Sequence, residues 1–361
     1  MQQNNEIFPA RVSFFCRKLS DYKVDSIFFF GMSNVRYFSG FTGSDGVLLI
    51  TPGKTILLVD GRYTAQAALE TTNVQIIEYK DKIMGIIQAV NDRRLKYIGF
   101  EAASITVEMH GKLTKDLQTK KFVPLADELK LIRARKDERE LALMRRAADI
   151  SSAAILSLIG SIKSGITEKD LALQLELNAR ASGADQLAFE PIVASGENSA
   201  LPHARPTNRK IKNGDFIVID FGVKYGGYCS DETCTIAFGE LTEKQKHIYQ
   251  RVKDAHDRAL ASIKSNIAAG DIDHCARSVF GEKHSRYFAH GTGHGIGLEV
   301  HEAPRLASNS KDILEETMVV TVEPGLYFPG HWGVRIEDTV LVQKNSCEKL
   351  TKMDKQLITI K

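Results

Sequence analysis

Four carboxylates and one histidine sit where charged side chains are normally excluded, inside short apolar or glycine-rich runs: Asp220, Asp231, His294, Glu323 and Glu337. Burying an unpaired carboxylate is costly. A chain that carries four of them in its strands must fold so that they meet something that offsets this cost. A pair of divalent cations would do so, and the five residues look like the ligand set of a two-metal hydrolytic centre. Charge balance agrees, because four carboxylates match two divalent ions. Oxygen ligands with a single nitrogen favour manganese, with cobalt, zinc or iron as alternatives. A single zinc site more typically shows two or three nitrogens.

The segment from Phe216 to Asp231 has two β-rich arms around a glycine-containing centre and reads as a hairpin. With Tyr225-Gly226 as the two-residue loop, Asp220 falls opposite Asp231. Directly opposed residues have Cβ atoms about 4.5–5.5 Å apart. That spacing suits two ions about 3.5–4 Å apart. Tyr225 would need an unfavourable positive φ in such a turn, so a bulged loop is the alternative.

Between Phe288 and Glu302, His290, His294 and His301 are interleaved with Gly291, Gly293, Gly295 and Gly297. The glycines alternate, unlike the GxGxxG of a dinucleotide loop. Val319–Val322 leads into Glu323-Pro324, and the proline holds the preceding residue extended. Val334-Arg335-Ile336-Glu337-Asp338 reads as the start of a strand. Alternation puts Arg335 and Glu337 on one face, and Arg335 is expected to orient a metal-binding carboxylate. His203 lies in a loop marked by Pro202 and Pro206 and would by itself be an ordinary loop histidine.

At 361 residues the chain is long for a single core, and 43% hydrophobic content supports two. Residues 1–132 alternate strands (Ser26–Phe30, Gly46–Ile50, Thr55–Val59, Tyr97–Phe100) with helices (Tyr63–Leu69, Lys82–Val90), an α/β unit with a mixed or parallel sheet. A charged linker follows. Residues 133–361 read as α+β: a long helix opens near Asp137, and Thr167 with Asp170 and Thr242 with Gln245 mark helix starts. Forty-eight basic against 45 acidic residues leave a net charge of +3, which gives no footprint for nucleic acid or a membrane surface. Five scattered cysteines without a CxxC pair suit a reducing compartment, and Cys229 and Cys234 read as packing residues. The N-terminus has no basic, apolar leader pattern, so the cytoplasm is the expected location.

The order Asp, Asp, His, Glu, Glu, set in IDFG, CSDET, HGTGHGIG, VEPG and VRIED, resembles the metal-dependent "pita-bread" peptidases, which comprise methionine aminopeptidases, aminopeptidase P and prolidase. Asn34 to Ser44 and Asp60-Gly61-Arg62-Tyr63 resemble the creatinase-type N-terminal domain of the Xaa-Pro peptidases, which methionine aminopeptidases lack. The resemblance implies that Asp220 binds one metal and His294 the other, with Asp231, Glu323 and Glu337 touching both. It implies that His203 and His301 contact substrate and transition state, that His290 sits beside the site, and that Arg335 supports ligands or substrate. Glu323 would pass a proton to the leaving proline nitrogen. Arg305 lies where some microbial prolidases carry an arginine for the proline carboxylate, a bidentate pairing that makes physical sense. The implied activity is cleavage of the bond before proline in short peptides by an Xaa-Pro dipeptidase. An Xaa-Pro aminopeptidase acting on longer peptides is the alternative, and a non-catalytic binding module on the same fold a remote one. A homodimer is expected by resemblance alone.

Overall fold

The computed structural model describes residues 4–361, so the reading of Met1–Gln3 as free of a targeting signal lies outside the described residues. The chain divides into two compact units, Met1–Lys130 and Leu131–Lys361.

The first unit is built on a six-stranded sheet. Its order is Val74–Tyr79, Lys54–Asp60, Val47–Thr51, Ser26–Phe29, Tyr97–Glu101, Lys121–Leu125. Ser26–Phe29 runs antiparallel to Val47–Thr51 and parallel to Tyr97–Glu101, so the sheet is mixed. The central strands are buried along their length instead of alternating, as expected where both faces of a sheet are covered. Helices Lys82–Asn91 and Val107–Asp116 contribute Ile86, Ile87, Val90 and Leu113 to one of these cores. Two outer strands, Val74–Tyr79 and Lys121–Leu125, escape the sequence pattern because half-buried edges mix polar and apolar residues.

The second unit is α+β. Asp137 caps the helix Glu138–Ile159 through a reciprocal box with Glu140, and the same device starts Glu168–Ala181 at Thr167 and Glu243–Ser262 at Thr242. Each cap is worth about 1 kcal/mol. The first two helices pack Ile155, Leu158, Leu171 and Leu175 against Ile217, Ile219 and Ile236. Those isoleucines lie on a four-stranded sheet ordered Thr359–Ile360, Glu232–Phe238, Asp215–Phe221, Ile192–Ser195. Helices Glu243–Ser262 and Ala269–Ser285 pack Val252, Ala259 and Ile272 against Val320, Val322 and Val340. These valines belong to a five-stranded sheet ordered Glu302–Leu306, Gly293–Gly295, Val319–Val322, Asp338–Val342, Cys347–Lys349. Each fully buried Ile or Val contributes about 1.5–3 kcal/mol.

The two sheets are stitched along one seam. Thr339 Oγ1 donates to the Asp231 carbonyl at 2.7 Å, and the Glu337 amide donates to the Thr233 carbonyl at 3.0 Å. Among the described residues, no helix is long and apolar enough to cross a membrane.

Candidate metal centre

All five acid and histidine positions cluster around the ends of the strands that meet at this seam. Asp220 is the penultimate residue of its strand, while Asp231 and Glu337 each immediately precede one. Glu323 immediately follows Val319–Val322, and His294 is the middle residue of Gly293–Gly295. The expected strand through Glu337 is broken: one strand ends at Arg335 and the next begins at Asp338.

The hairpin loop lies one residue later than expected, which moves each cross-strand partner by two. Thr233, not Asp231, stands opposite Asp220. Tyr225 pairs with Tyr228, which makes the loop Gly226-Gly227, with φ of 56° and 85°. A primed two-residue turn demands positive φ at both positions, which glycine meets and Tyr225 would resist. Asp231 still reaches the cluster. Its ligand atom and those of His294 and Glu337 lie within 4.8 Å of one another.

His294 is placed by its flanking glycines. A Cβ on Gly293 would drive into the Thr321 carbonyl, and one on Gly295 into the Ala303 carbonyl. The His294 ring holds Nδ1 3.0 Å from the Gly295 carbonyl, so Nδ1 carries the proton and Nε2 is left as the free donor of an electron pair. Nε2 lies 3.4 Å from Glu323 Oε1 and 3.7 Å from Asp231 Oδ2. Burial pushes the His294 imidazole down to about 4, and the His290 imidazole likewise.

The carboxylates are crowded. Burial, then the neighbouring charges of Glu337, Asp220 and Glu323, holds Asp231 well above the ordinary carboxylate range. Burial and the charges of Glu323 and Asp220 do the same to Glu337. Burial raises Glu323 to about 8, with Arg335 opposing. Asp220 Oδ1 and Glu337 Oε1 are buried without a hydrogen-bond partner. Buried acceptors are ordinarily satisfied, so converging acids with two unsatisfied oxygens and a free imidazole nitrogen fit a divalent metal centre. By contrast, burial raises the thiols of Cys229 and Cys234 to about 12, which keeps them protonated and suits their reading as packing residues.

Arg335 grips a carboxylate, but it is that of Asp220, at 2.6 Å, and not that of its near neighbour Glu337. The same guanidinium donates to Tyr327 Oη at 2.8 Å, the Pro202 carbonyl at 3.1 Å and Thr233 Oγ1 at 3.2 Å. Thr233 in turn donates to Glu337 Oε2 at 2.7 Å. His290 Nε2 lies 2.9 Å from Tyr327 Oη, which links that histidine to Arg335.

The outer residues surround this core. The His301 ring stands 4.4 Å from that of His294, edge-on, and is exposed. Arg305 is exposed and pairs across the ladder with His294. His203 is exposed on its loop, near enough that its charge bears on His290 and His301.

Three contributors escaped the sequence reading: Tyr327, Thr233 and Glu168. Glu168 is fully buried and clamps both ends of the His203 loop, accepting from the Ser195 amide at 2.7 Å and the Thr207 amide at 2.9 Å. A buried acid directly after an N-cap was its only signal. Tyr327 could have been found by alternation from Gly325, since Arg335 pairs with Gly325 and the missing side chain leaves room for the phenol.

Known proteins resemble the chain along nearly its whole length. Residues 142–344 match the metallopeptidase family M24, and residues 11–135 match the creatinase/prolidase N-terminal domain. The chain is 36% identical to an Xaa-Pro dipeptidase of Pyrococcus horikoshii, over 93% of this chain and 95% of that one. An Xaa-Pro dipeptidase structure from Bacillus anthracis superposes with a TM-score of 0.94 at 36% identity, covering 98% of this chain and 100% of the other. An X-Pro aminopeptidase structure from Thermotoga maritima gives 0.90 at 36% identity, with 97% and 99% covered. The chain therefore belongs to metallopeptidase family M24, with a creatinase/prolidase N-terminal domain ahead of a pita-bread catalytic domain.

Proposed function

We propose that this metallopeptidase hydrolyses Xaa-Pro dipeptides, with residues 1–132 as the creatinase-like domain and 133–361 as the catalytic one. The observation that carries the chemistry is the convergence of Asp231, His294 and Glu337 beside two buried carboxylate oxygens that lack any donor. Asp220, Asp231, His294, Glu323 and Glu337 would hold two divalent ions, manganese being favoured over cobalt, zinc or iron by the oxygen-rich set. Such ions supply a water that is nucleophilic at neutral pH and draw charge from the scissile carbonyl.

The chain's own residues do the rest. Glu323, a carboxylate once ions are held, takes a proton from water and gives it to the proline nitrogen, which as a tertiary amide needs protonation to leave. His203 and His301, both exposed, stabilise the developing oxyanion. His290 bonds Tyr327, which with Asp220 fixes the Arg335 fork. Arg305, exposed next to His294 on the ladder, reads the free proline carboxylate, which distinguishes a dipeptide from a longer chain. We also propose a homodimer, by resemblance to the family, and a cytoplasmic location, in keeping with five unpaired cysteines.

The likeness to the Thermotoga maritima X-Pro aminopeptidase supports a second reading, in which longer peptides are accepted. Turnover of Xaa-Pro dipeptides and Xaa-Pro-Xaa tripeptides in manganese or cobalt decides between them. A dipeptidase cleaves the first and spares the second. Comparable rates on both would make the protein an aminopeptidase.

A further inference from the structure

Two of the five cluster residues are followed directly by a second acid: Asp231 by Glu232 and Glu337 by Asp338. Alternation turns the second acid of each pair away from the first. Both second acids end in the same place, behind the cluster, and both side chains have 0% exposure.

Lys355 reaches both acids, while Asp338 Oδ2 is also approached by Lys349 Nζ at 3.4 Å and His256 Nε2 at 3.3 Å. Lys355 Nζ, on a side chain only 2% exposed, lies 2.6 Å from Glu232 Oε1 and 3.5 Å from Asp338 Oδ1. The segment that delivers it is sewn to the same acids. Glu232 Oε1 also accepts from the Met353 amide at 3.0 Å, and Asp338 Oδ1 from Thr351 Oγ1 at 2.7 Å. Ser152 Oγ donates to Glu232 Oε2 at 2.5 Å and accepts from the Lys352 amide at 3.0 Å. The Lys355 carbonyl is itself held by Tyr249 Oη at 3.2 Å.

Asp231 and Glu337 come from different sheets, so their separation depends on how firmly those sheets are joined. Groups behind a metal ligand that fix its orientation are a recognised determinant of affinity. We propose that Lys355 is a positioning residue for the metal centre: by tying Glu232 to Asp338 it holds Asp231 and Glu337 at the spacing that captures the ions. This rests on the assignment of Asp231 and Glu337 as ligands.

The test is metal binding by chelator-stripped full-length protein, measured by titration with Mn²⁺ against a chromophoric competitor, alongside thermal midpoints. Wild type is compared with Lys355→Met and with Lys355→Met/Glu232→Gln. Lys355→Met is expected to weaken Mn²⁺ binding roughly tenfold or more. The double variant removes the charge left uncompensated on Glu232, Asp338 keeping Lys349, and is expected to recover its thermal midpoint but not its affinity, because the Lys355 tie between Glu232 and Asp338 is still missing. Wild-type affinity in Lys355→Met, or affinity returning together with the midpoint in the double variant, overturns the proposal. If Lys355→Met does not fold, the double variant decides alone, reduced affinity supporting the tie and wild-type affinity refuting it. A wild-type protein that takes up no metal would instead sink the ligand assignment itself.

Discussion

Arg335 donates from Nη2 to Asp220 Oδ2 across 2.6 Å, with only 3% of the arginine side chain exposed. The pair joins the two-stranded element Gly325–Phe328/Trp332–Arg335 to the four-stranded sheet. Removing one member of a buried pair leaves the other uncompensated, at about 3–5 kcal/mol. Arg335→Met should lower unfolding stability by that amount in guanidinium titrations. Arg335→Lys should stay folded but lose at least about tenfold in kcat, because an ammonium cannot reproduce a fork that serves Asp220, Tyr327 and Thr233 together.

Glu323→Gln should abolish turnover while leaving the fold intact. The amide cannot carry a proton from water to the proline nitrogen, a role worth about 10²- to 10⁴-fold. Full activity in this variant would refute the assignment.

The pH dependence of the metal-free protein has a definite sign. Glu323 binds its proton up to about 8 in the fold but only up to 4.5 when unfolded, so it removes stability as pH rises between those values. Asp231 and Glu337 act in the same direction. His294 and His290, at about 4 in the fold against 6.5 unfolded, act oppositely and mainly below 6.5. Burial lowers His301 and His284 as well, and they act with these two histidines; above pH 6.5 the histidine contribution fades and the raised acids dominate up to about 8. The thermal midpoint of chelator-stripped protein should therefore fall across that window, while metal-loaded protein holds steady and metal uptake releases protons. A stripped protein that grows more stable from pH 6.5 to 8 would contradict this.

Arg305→Ala should raise KM for an Xaa-Pro dipeptide by roughly tenfold or more, the size of one lost charge-assisted pair. The same variant should leave KM for an Xaa-Pro amide almost unchanged, since that substrate carries no carboxylate. Equal effects on both substrates would remove Arg305 from specificity.

Gly227, at φ 85° in the hairpin loop, tests the turn independently of the chemistry. Gly227→Ala should cost about 1 kcal/mol or more in stability, with metal content unaltered.

Much of this was legible in the sequence because of where the acids stand. An acid in an apolar run announces a buried charge: Asp231, Glu323 and Glu337 gather beside His294, and the charge of Asp220 bears on those three acids. The capping pairs Thr167/Asp170 and Thr242/Gln245 lie within four residues of chain, so local chemistry alone set those helix starts. The hairpin register was not legible to the residue, because Tyr225-Gly226 and Gly226-Gly227 are adjacent candidates and only the demand for two positive φ values separates them. The partner of Arg335 was hidden for a different reason. Alternation relates neighbours on one strand, whereas Asp220 comes from another sheet more than a hundred residues away. Tyr327 and Glu168 were missed because their roles consist of contacts between distant segments, which their local sequence signals only weakly.

The glycines on either side of His294 set a boundary for anyone redesigning this enzyme. With the carbonyls of Thr321 and Ala303 occupying the space where side chains would grow, no other encoded amino acid fits at 293 or 295. Libraries meant to shift substrate preference should leave that tripeptide untouched, together with His203 and His301, and place their diversity at Arg305, an exposed position where new side chains can grow into solvent without moving a ligand.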